Sequence, residues 1–293
     1  MFGVFMPQGW KMELSGIDGA AAKWNKAAEI AVLAEQLGYD SIWLYDHFHN
    51  VPRPAHEAVF ECWTTMAAIS QRTSRVRLGQ MVGCNSYREP GLLAKITSTL
   101  DVISGGRLDW GIGAGWYENE YRAYGYDFPK PSVRFAELEE VITICRLMWT
   151  EAEPSFAGKY FAIAGASAPP LPDPVPRICI GASGEQIGLP LVGRLADMWN
   201  GMPFGTDDDW RRRLGIVRSS AEKAGRDPDV IEVSMTIEKP LPESDEDSEK
   251  LVELLTHKAS LGVQHFVMDF GNPKALEPIT RFAEQVMAPL RAL

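Results

Sequence analysis

Histidine and aspartate side chains follow one of the apolar runs near the N-terminus. Asp46, His47 and His49 come directly after residues 41–45, a β-prone run. An imidazole changes charge near neutral pH, so His47, with Asp46 beside it, could hydrogen-bond a ligand or transfer a proton. The alternatives are a structural hydrogen bond and a metal site, but for the latter only Asp269 follows another predicted strand suitably. We therefore predict no metal site and expect His47 to point into a pocket.

Small residues follow the third β-prone run, residues 76–82. Gly83 and Asn85 stand where this run meets the next loop. A glycine at such a place indicates a bulge or a close approach of the backbone to a ligand. The alternative is an ordinary turn before a helix that begins at Pro90.

Three glycines at alternate positions end the fourth β-prone run, residues 107–113. Gly111, Gly113 and Gly115 leave this end of the strand without side chains, which suits a flat ring lying against the backbone. Trp116 and Tyr121 are predicted to form walls of the same space.

The fifth run continues through Gly181, Ala182, Ser183 and Gly184 into a predicted helix. Free main-chain N–H groups, the Ser183 hydroxyl and the helix N-terminus together favour an anion, so this segment is predicted to bind a phosphate. The alternative is that Ser183 only caps the helix.

These segments belong to a regular alternation of strands and helices. The predicted strands are residues 2–6, 41–45, 76–82, 107–113, 177–181, 197–201, 230–237 and 265–269, and the predicted helices are residues 21–37, 59–70, 92–103, 134–149, 186–195, 208–224, 247–261 and 275–290. Eight such pairs predict an α/β fold, the (β/α)8 TIM barrel, whose active site lies at the carboxyl ends of the strands. The first strand is not followed by G-x-G-x-x-G, which disfavours an open dinucleotide-binding sheet.

One connection is much longer than the others. Residues 151–175 are rich in Pro, Ala and Gly, and they predict an insertion or a lid after the fourth helix. Because no segment has the composition of a linker, residues 1–293 are predicted to form a single domain.

Composition excludes several classes of protein. The 293 residues carry 29 Lys and Arg against 39 Asp and Glu, a net charge of −10, which argues against nucleic-acid and anionic-membrane surfaces. We find no run of about 18 apolar residues and no signal-peptide pattern, and we expect a cytoplasmic protein without a membrane span. The cysteines are far apart and predict buried thiols: Cys62, Cys84, Cys145 and Cys179.

Several of these stretches together resemble the luciferase-like monooxygenase family, and within it the F420-dependent oxidoreductase branch. The matching stretches are residues 38–43 with Asp46, His47 and Phe48, then residues 92–108, 111–121 and 181–184. The resemblance implies a bacterial-luciferase-like TIM barrel with an insertion after the fourth helix. It also implies an enzyme that binds the deazaflavin coenzyme F420, with FMN as the alternative cofactor.

The resemblance further implies roles for individual residues. A bulge in the third strand, with a non-prolyl cis peptide bond at Met81-Val82, would back the cofactor ring, and His47 would face the reactive part of that ring. Asp46 and Trp116 complete the predicted catalytic set. The predicted cofactor contacts are Met81, Val82, Gly83, Asn85, Gly113, Ala114, Gly115, Asn119, Gly181, Ala182, Ser183 and Gly184.

One residue departs from part of the family. Members that oxidise a sugar phosphate carry a Glu where this chain has Trp116, so we expect a small, uncharged and apolar substrate. The predicted reaction is hydride transfer between F420 and that substrate. The alternatives are an FMN-dependent two-component monooxygenase, which would use a separate reductase, and a non-catalytic flavin-binding protein.

The resemblance leads to two further expectations. The polyglutamate tail of F420 would need basic residues along the mouth of the barrel, and the candidates are Arg53, Arg88, Lys130 and Arg177. Because family members are often dimers, a homodimer is also expected.

Overall fold

A closed barrel of parallel strands forms the centre of the molecule. The computed structural model describes residues 1–52 and 54–292. Its strands are β1 (Phe2–Phe5), β2 (Ser41–Leu44), β3 (Arg77–Gln80), β4 (Gly83–Cys84), β5 (Leu108–Gly113), β6 (Phe156–Ala157), β7 (Ala162–Ile163), β8 (Arg177–Gly181), β9 (Met198–Gly201), β10 (Glu232–Ile237) and β11 (His265–Met268). The ring runs β1, β2, β3 with β4, β5, β8, β9, β10 and β11, and β11 pairs again with β1. The predicted TIM barrel is therefore confirmed.

Helices surround this barrel. They are α1 (Ala20–Gln36), α2 (Cys62–Ser70), α3 (Pro90–Ser104), α4 (Glu118–Ala123), α5 (Pro131–Thr150), α6 (Gly188–Leu195), α7 (Asp207–Lys223), α8 (Asp245–Ser260), α9 (Glu277–Phe282) and α10 (Ala288–Arg291). All but α4 correspond to predicted helices, with α9 and α10 sharing the eighth. The six residues of α4 are too few to show a helical period in the sequence.

The third strand of the barrel is interrupted. β3 pairs with β5 at Leu78 and Gly79, and β4 resumes the pairing with β5 at Gly83 and Cys84. The peptide bond between Met81 and Val82, in the gap, is cis. The predicted bulge and the predicted cis bond are both confirmed.

Two apolar layers hold the barrel together. Large side chains such as Trp43, Met198 and Val267 fill its interior, and a second cluster that includes Trp110 and Trp149 packs the strands against the helices. Burial of such side chains is the main stabilising contribution. All four cysteines are buried free thiols, as predicted.

Charged side chains close the amino-terminal end of the barrel. Asp109, fully buried, accepts hydrogen bonds from both Arg77 and Arg177, and Glu232 connects Arg177 to His265. Arg177 therefore lies at the end opposite the strand exits, and its predicted contact with a cofactor tail at the mouth is wrong.

The insertion after α5 is not a lid. It begins at the end of α5 and leads into the first residue of β8, so both of its ends lie at the amino-terminal side of the barrel. Its hairpin, β6 and β7, is fastened to α5 by Glu140, which accepts hydrogen bonds from the backbone N–H groups of residues 159–161 at 2.7–2.9 Å. Lys95 on α3 holds the following segment through the carbonyl of Ala168. The mouth is therefore shaped by other loops.

A helix that spans a membrane needs about 20 consecutive, predominantly apolar residues. In residues 1–52 and 54–292, no helix is long and apolar enough to cross a bilayer.

Candidate functional site

A cavity of about 600 Å³ opens at the carboxyl ends of the strands. This volume is within the range of small-molecule and cofactor sites. The predicted site residues that line it are Asp46, His47, Met81, Val82, Gly83, Gly113, Ala114, Gly115, Trp116, Gly181, Ala182 and Ser183. Three predicted contacts do not line it: Asn85 is buried and bonds to the Arg134 carbonyl, Asn119 is exposed on α4, and Gly184 lies just outside.

Val82 forms part of the cavity wall, and glycines make room for it. A Cβ atom on Gly113 would lie 2.8 Å from Val82 Cγ2, and one on Gly181 would lie 2.9 Å from the same atom. On Gly111 a Cβ would collide with the backbone carbonyl of Gln80. The glycines thus leave the space that Gln80 and Val82 of the interrupted third strand occupy. Our prediction that they leave β5 bare for a ring is wrong for Gly111, which faces Gln80.

The segment after β5, which runs into α4, carries the exposed Trp116 and the buried Tyr121. Gly115 has a positive φ of 73°, and the space its side chain would occupy is taken by the Tyr121 hydroxyl. Tyr121 is fully buried, with its hydroxyl 2.8 Å from Cys84 Sγ and 3.1 Å from Ser86 Oγ. It supports the loop and is not the predicted wall. Trp116 does line the cavity, and it is 62% exposed.

The segment after β8 has the features of an anion cradle. Within the described residues, the N–H groups of residues 183–185 and the Ser183 hydroxyl make no hydrogen bond. Helix α6 begins only at Gly188, and no side chain in the described part of the chain caps it. The alternative role of Ser183 as a helix cap is therefore wrong. Unpaired N–H groups beside a cavity are suited to phosphate oxygens.

His47 is held by a buried carboxylate that the sequence did not reveal. Its Nδ1 lies 2.7 Å from Glu120 Oε2, and its side chain is only 12% exposed. Glu120 also accepts hydrogen bonds from the Tyr87 hydroxyl at 2.6 Å and from the backbone N–H groups of Phe48 and His49 at 2.6 and 3.1 Å. All of these partners donate, so the carboxylate is suited to the ionised form.

The charge on Glu120 sets the state of the His47 ring. Burial raises the pKa of Glu120, but the hydrogen bonds from His47, Tyr87 and the Phe48 N–H outweigh it, and the net pKa is lowered. An ionised carboxylate can only accept, so Nδ1 of His47 must carry a hydrogen. Nε2 has no partner within residues 1–52 and 54–292, and it is the nitrogen left to exchange a proton.

Asp46 is part of an ion pair and is not a free acid or base. Its two oxygens accept hydrogen bonds from the Arg88 guanidinium at 2.7 and 3.0 Å. One of them also accepts a hydrogen bond from the Cys84 N–H at 3.0 Å. The side chain of Arg88 is only 12% exposed and also contacts Glu61. Arg88 is therefore committed to this pair, and its predicted role toward a cofactor tail is wrong.

Of the other tail candidates, Lys130 is exposed at the start of α5, and Arg53 lies outside the described residues. Across the described ranges, no three His, Cys, Asp or Glu side chains are grouped so that they could hold a metal ion.

An aromatic stack from the first loop completes the wall next to His47. Trp10 is parallel to the His47 ring, with centroids 4.3 Å apart and planes 3° apart. Tyr45 also contacts Trp10, with centroids 4.2 Å apart, and Phe5 stacks on Tyr45. Glu120 lies within the family-like stretch 111–121, but nothing in that stretch indicated its contact with His47, and Trp10 belongs to no periodic pattern or motif.

Sequence comparison places the chain in a family. A profile described as luciferase-like monooxygenase matches residues 1–287. The chain belongs to the luciferase-like monooxygenase family. The prediction of the family is therefore confirmed over nearly the whole chain.

The chain is similar to several F420-dependent glucose-6-phosphate dehydrogenases. The protein from Amycolatopsis mediterranei is 34% identical over 234 residues, which cover 77% of this chain and 67% of the relative. The protein from Nocardia farcinica is 34% identical over 217 residues, 71% of this chain and 62% of the relative. Most of these relatives are thus matched over less than two thirds of their own length.

Solved structures share the fold at low identity. An F420-dependent secondary alcohol dehydrogenase, in complex with an F420-acetone adduct, has a TM-score of 0.83 at 21% identity, with 98% of both chains covered. The coenzyme F420-dependent tetrahydromethanopterin reductase of Methanopyrus kandleri has a TM-score of 0.80 at 17% identity, also with 98% of both chains covered. A monooxygenase, RslO1 from Streptomyces bottropensis, has a TM-score of 0.77 at 19% identity. At sequence identities of 17–21%, these structural similarities establish the barrel fold alone.

Proposed function

We propose that this protein is an oxidoreductase that transfers a hydride between coenzyme F420 and a small, uncharged organic substrate. The observation that carries the proposal is the cavity itself. It has a wall built on Val82 at one side and Ser183 at another, where N–H groups begin that have no partner among the described residues, and it is lined by a histidine whose Nε2 has no partner among those residues. The F420-dependent relatives and solved structures support the choice of cofactor.

The residues present fit a ring that carries a phosphate. Met81 and Val82, with Gly113 behind them, would contact the ring, and the cradle of Ser183 and its neighbours would bind the phosphate. When bound, the deazaflavin supplies the hydride donor or acceptor, which no protein side chain can provide. The protein's own contribution is to orient the reactants, to exclude water and to handle the proton.

His47 is the residue proposed to handle that proton. Because Glu120 requires a hydrogen on Nδ1, the ring gains or loses its second proton at Nε2, on the cavity side. Reduction of a carbonyl consumes a proton, and oxidation of an alcohol releases one, so a group of this kind serves either direction. Asp46 has a positioning role, because its ion pair with Arg88 anchors the chain just before His47.

The charges around the cavity favour an uncharged substrate. Lys11, the cation in the lining, is paired with Asp269 at 2.8 Å, and Glu238 at the rim adds a negative charge. No other lysine or arginine of the described residues lines the cavity. A phosphorylated substrate would bring a dianion that these groups do not neutralise. Trp116 adds apolar surface instead.

A second candidate function is that of an FMN-dependent monooxygenase with a separate reductase. The specific observation is that Arg88 and Arg177 form ion pairs with Asp46 and Asp109, so neither is available to bind the acidic tail of F420. FMN carries a phosphate but no such tail, and the cradle suits both cofactors. We further propose that the protein acts in the cytoplasm and that it is a homodimer. Light scattering of the purified protein tests the oligomeric state.

A titration of the purified protein decides between the cofactors. Tight binding of F420, followed by absorption and fluorescence, together with oxidation of reduced F420 by a panel of small ketones and enones, is the expected result. FMN binding without F420 binding at micromolar concentration would favour the monooxygenase. Cofactor binding without turnover by any donor or acceptor would identify a non-catalytic flavin-binding protein.

A further inference from the structure

Trp10 covers one whole face of the His47 ring. The two rings are 4.3 Å apart and within 3° of parallel, while Trp116 and Tyr117 meet the same imidazole only edge-on, at 5.8 and 6.0 Å. Trp10 is 8% exposed, so the contact is shielded from water. A parallel aromatic contact of this kind prevents one ring from tilting unless the other moves with it.

Trp10 is itself held by main-chain hydrogen bonds. Its carbonyl accepts the Val51 N–H at 2.9 Å, and the carbonyl of the preceding Gly9 accepts Asn50 Nδ2 at 2.7 Å. Gly9 has a φ of 98°, and a Cβ atom there would collide with the Ala58 carbonyl. The backbone on both sides of the indole is thus fixed to the loop that follows His47.

A second set of bonds ties the same loop to the strand exit. The side chain of Gln8, fully buried, donates to the Tyr45 carbonyl at 2.9 Å and accepts the Tyr45 N–H at 2.9 Å. Tyr45 precedes His47 by two residues, and its ring also contacts Trp10, with centroids 4.2 Å apart. Trp10 therefore contacts two supported rings, which restricts its movement.

The bond to Glu120 alone does not fix the imidazole. The Cβ–Cγ bond and the hydrogen bond at Nδ1 hold two atoms of the ring, but small rotations about the two side-chain bonds can still tilt its plane while Nδ1 stays within hydrogen-bond distance of Glu120. Contact with a flat, immobile surface removes this remaining freedom. Charged groups around this arrangement include Glu120 at Nδ1, the Asp46–Arg88 pair, Lys11, whose Nζ is 5.7 Å from the Trp10 ring, and Glu13, which accepts the N–H groups of Gln8 and Gly9.

We propose that Trp10 is a positioning residue for His47, and that it fixes the plane of the imidazole so that Nε2 is presented to the cavity. The importance of that orientation for hydride transfer rests on the proposed function. The contact itself does not, because it is formed within the chain alone. The position and the orientation of a catalytic group must be precise, because a misplacement of about 1 Å lowers the rate steeply.

The test uses nuclear magnetic resonance of the full chain without cofactor, labelled at histidine. The chain has five histidines, and the signal of His47 is assigned from its loss in His47→Gln. In the native protein the ring current of Trp10 shifts the imidazole C–H protons upfield. Trp10→Leu should abolish this shift and lower the order parameter of the imidazole from about 0.85 to below about 0.6.

Two further variants make the result specific. Trp10→Phe keeps a flat face of smaller area and should retain a reduced upfield shift and an ordered ring. Trp24→Phe, on the outer helix α1 and against Phe60, should leave the His47 signal unchanged. Thermal unfolding of each variant verifies that the fold is retained, and Trp10→Phe provides the readout if Trp10→Leu does not fold.

A His47 ring that keeps its native order parameter in Trp10→Leu would overturn the proposal, because Glu120 would then suffice. The F420 dissociation constant is measured in parallel. If the native protein does not bind F420 but its His47 ring is disordered by Trp10→Leu, the proposed function fails while the role of Trp10 stands.

Discussion

The Nδ1 atom of His47 and the Oε2 atom of Glu120 lie 2.7 Å apart, and the carboxylate is fully buried behind the ring. Two backbone N–H groups and the Tyr87 hydroxyl also donate hydrogen bonds to this carboxylate. This pair makes the histidine a group with a fixed tautomer. A single amide in place of the carboxylate would disturb that arrangement.

Glu120→Gln is expected to reverse the tautomer of His47. The amide oxygen of Gln would remain with the N–H groups of Phe48 and His49, and its NH2 group would then face Nδ1. Nδ1 would have to accept, which moves the hydrogen to Nε2. We expect turnover to fall about 10²-fold or more, in line with the size of acid–base contributions. Steady-state rates and the imidazole 15N shifts report the two effects.

The matched control for this variant is Glu118→Gln. Glu118 is on the same helix but is half exposed and paired with Arg122 at 2.6 Å. Its rate should stay within about twofold of the native rate, because exposed pairs contribute little. An unchanged rate in Glu120→Gln would exclude the tautomer from any role.

His47→Ala should separate catalysis from binding. Loss of the imidazole removes the proton-transfer group, so turnover should fall by about 10²–10⁴. The F420 dissociation constant should change by no more than about threefold, because the phosphate cradle and the Val82 wall are untouched. Equal losses in both quantities would assign His47 to binding only. His257→Ala, at a surface pair with Asp207, is the control.

The positions of the strands were readable from the sequence because each buried parallel strand is a short apolar run between turn residues. The strand exits alone predict that His47, Gly113 and Ser183 surround one opening, and all three line the cavity. Trp116 is at the mouth as predicted, because it directly follows such an exit.

Contacts between loops could not be read in the same way. Glu120 reaches His47 across 73 residues of chain, and Trp10 reaches it from the first loop. Glycine spacing suggested a surface for a ring, but the spacing at Gly111 reflects the carbonyl of Gln80. Arg88 was misassigned because its ion pair with Asp46 depends on the fold of two separate loops.

Gly181→Ala should weaken cofactor binding through Val82. The new methyl group would lie 2.9 Å from Val82 Cγ2, so Val82 must shift toward the cavity. We expect the F420 dissociation constant to rise about tenfold and stability to fall by about 1–3 kcal/mol. Titration by fluorescence and chemical unfolding measure these quantities. Gly215→Ala, on α7 and with no atom within 4 Å of the new Cβ, is the control and should be neutral or stabilising. If Gly181→Ala bound F420 with unaltered affinity, Val82 would not be in contact with the cofactor.

Acid stability should depend on Glu232 at the closed end of the barrel. Burial raises the pKa of Glu232, but hydrogen bonds and charges from His265 and Arg177 outweigh it and lower the pKa to about 2. A carboxyl whose pKa is lower in the folded state stabilises the protein above its unfolded pKa of about 4.3 and loses that contribution as the pH falls toward 2. The free energy of unfolding should therefore decrease over this interval by up to about 3 kcal/mol from this group.

Glu232→Gln tests that assignment. The variant should be less stable at pH 7, because His265 and Arg177 lose their buried partner, and its stability should change less between pH 5 and pH 2 than that of the native protein. Urea unfolding at a series of pH values measures the slope directly. Glu246→Gln removes an exposed carboxylate paired with Lys250 on α8, and it should leave the slope unchanged. If Glu232→Gln retained the full native slope, the acid sensitivity would have to arise from other carboxylates, with Asp109 in the same network as the next to examine.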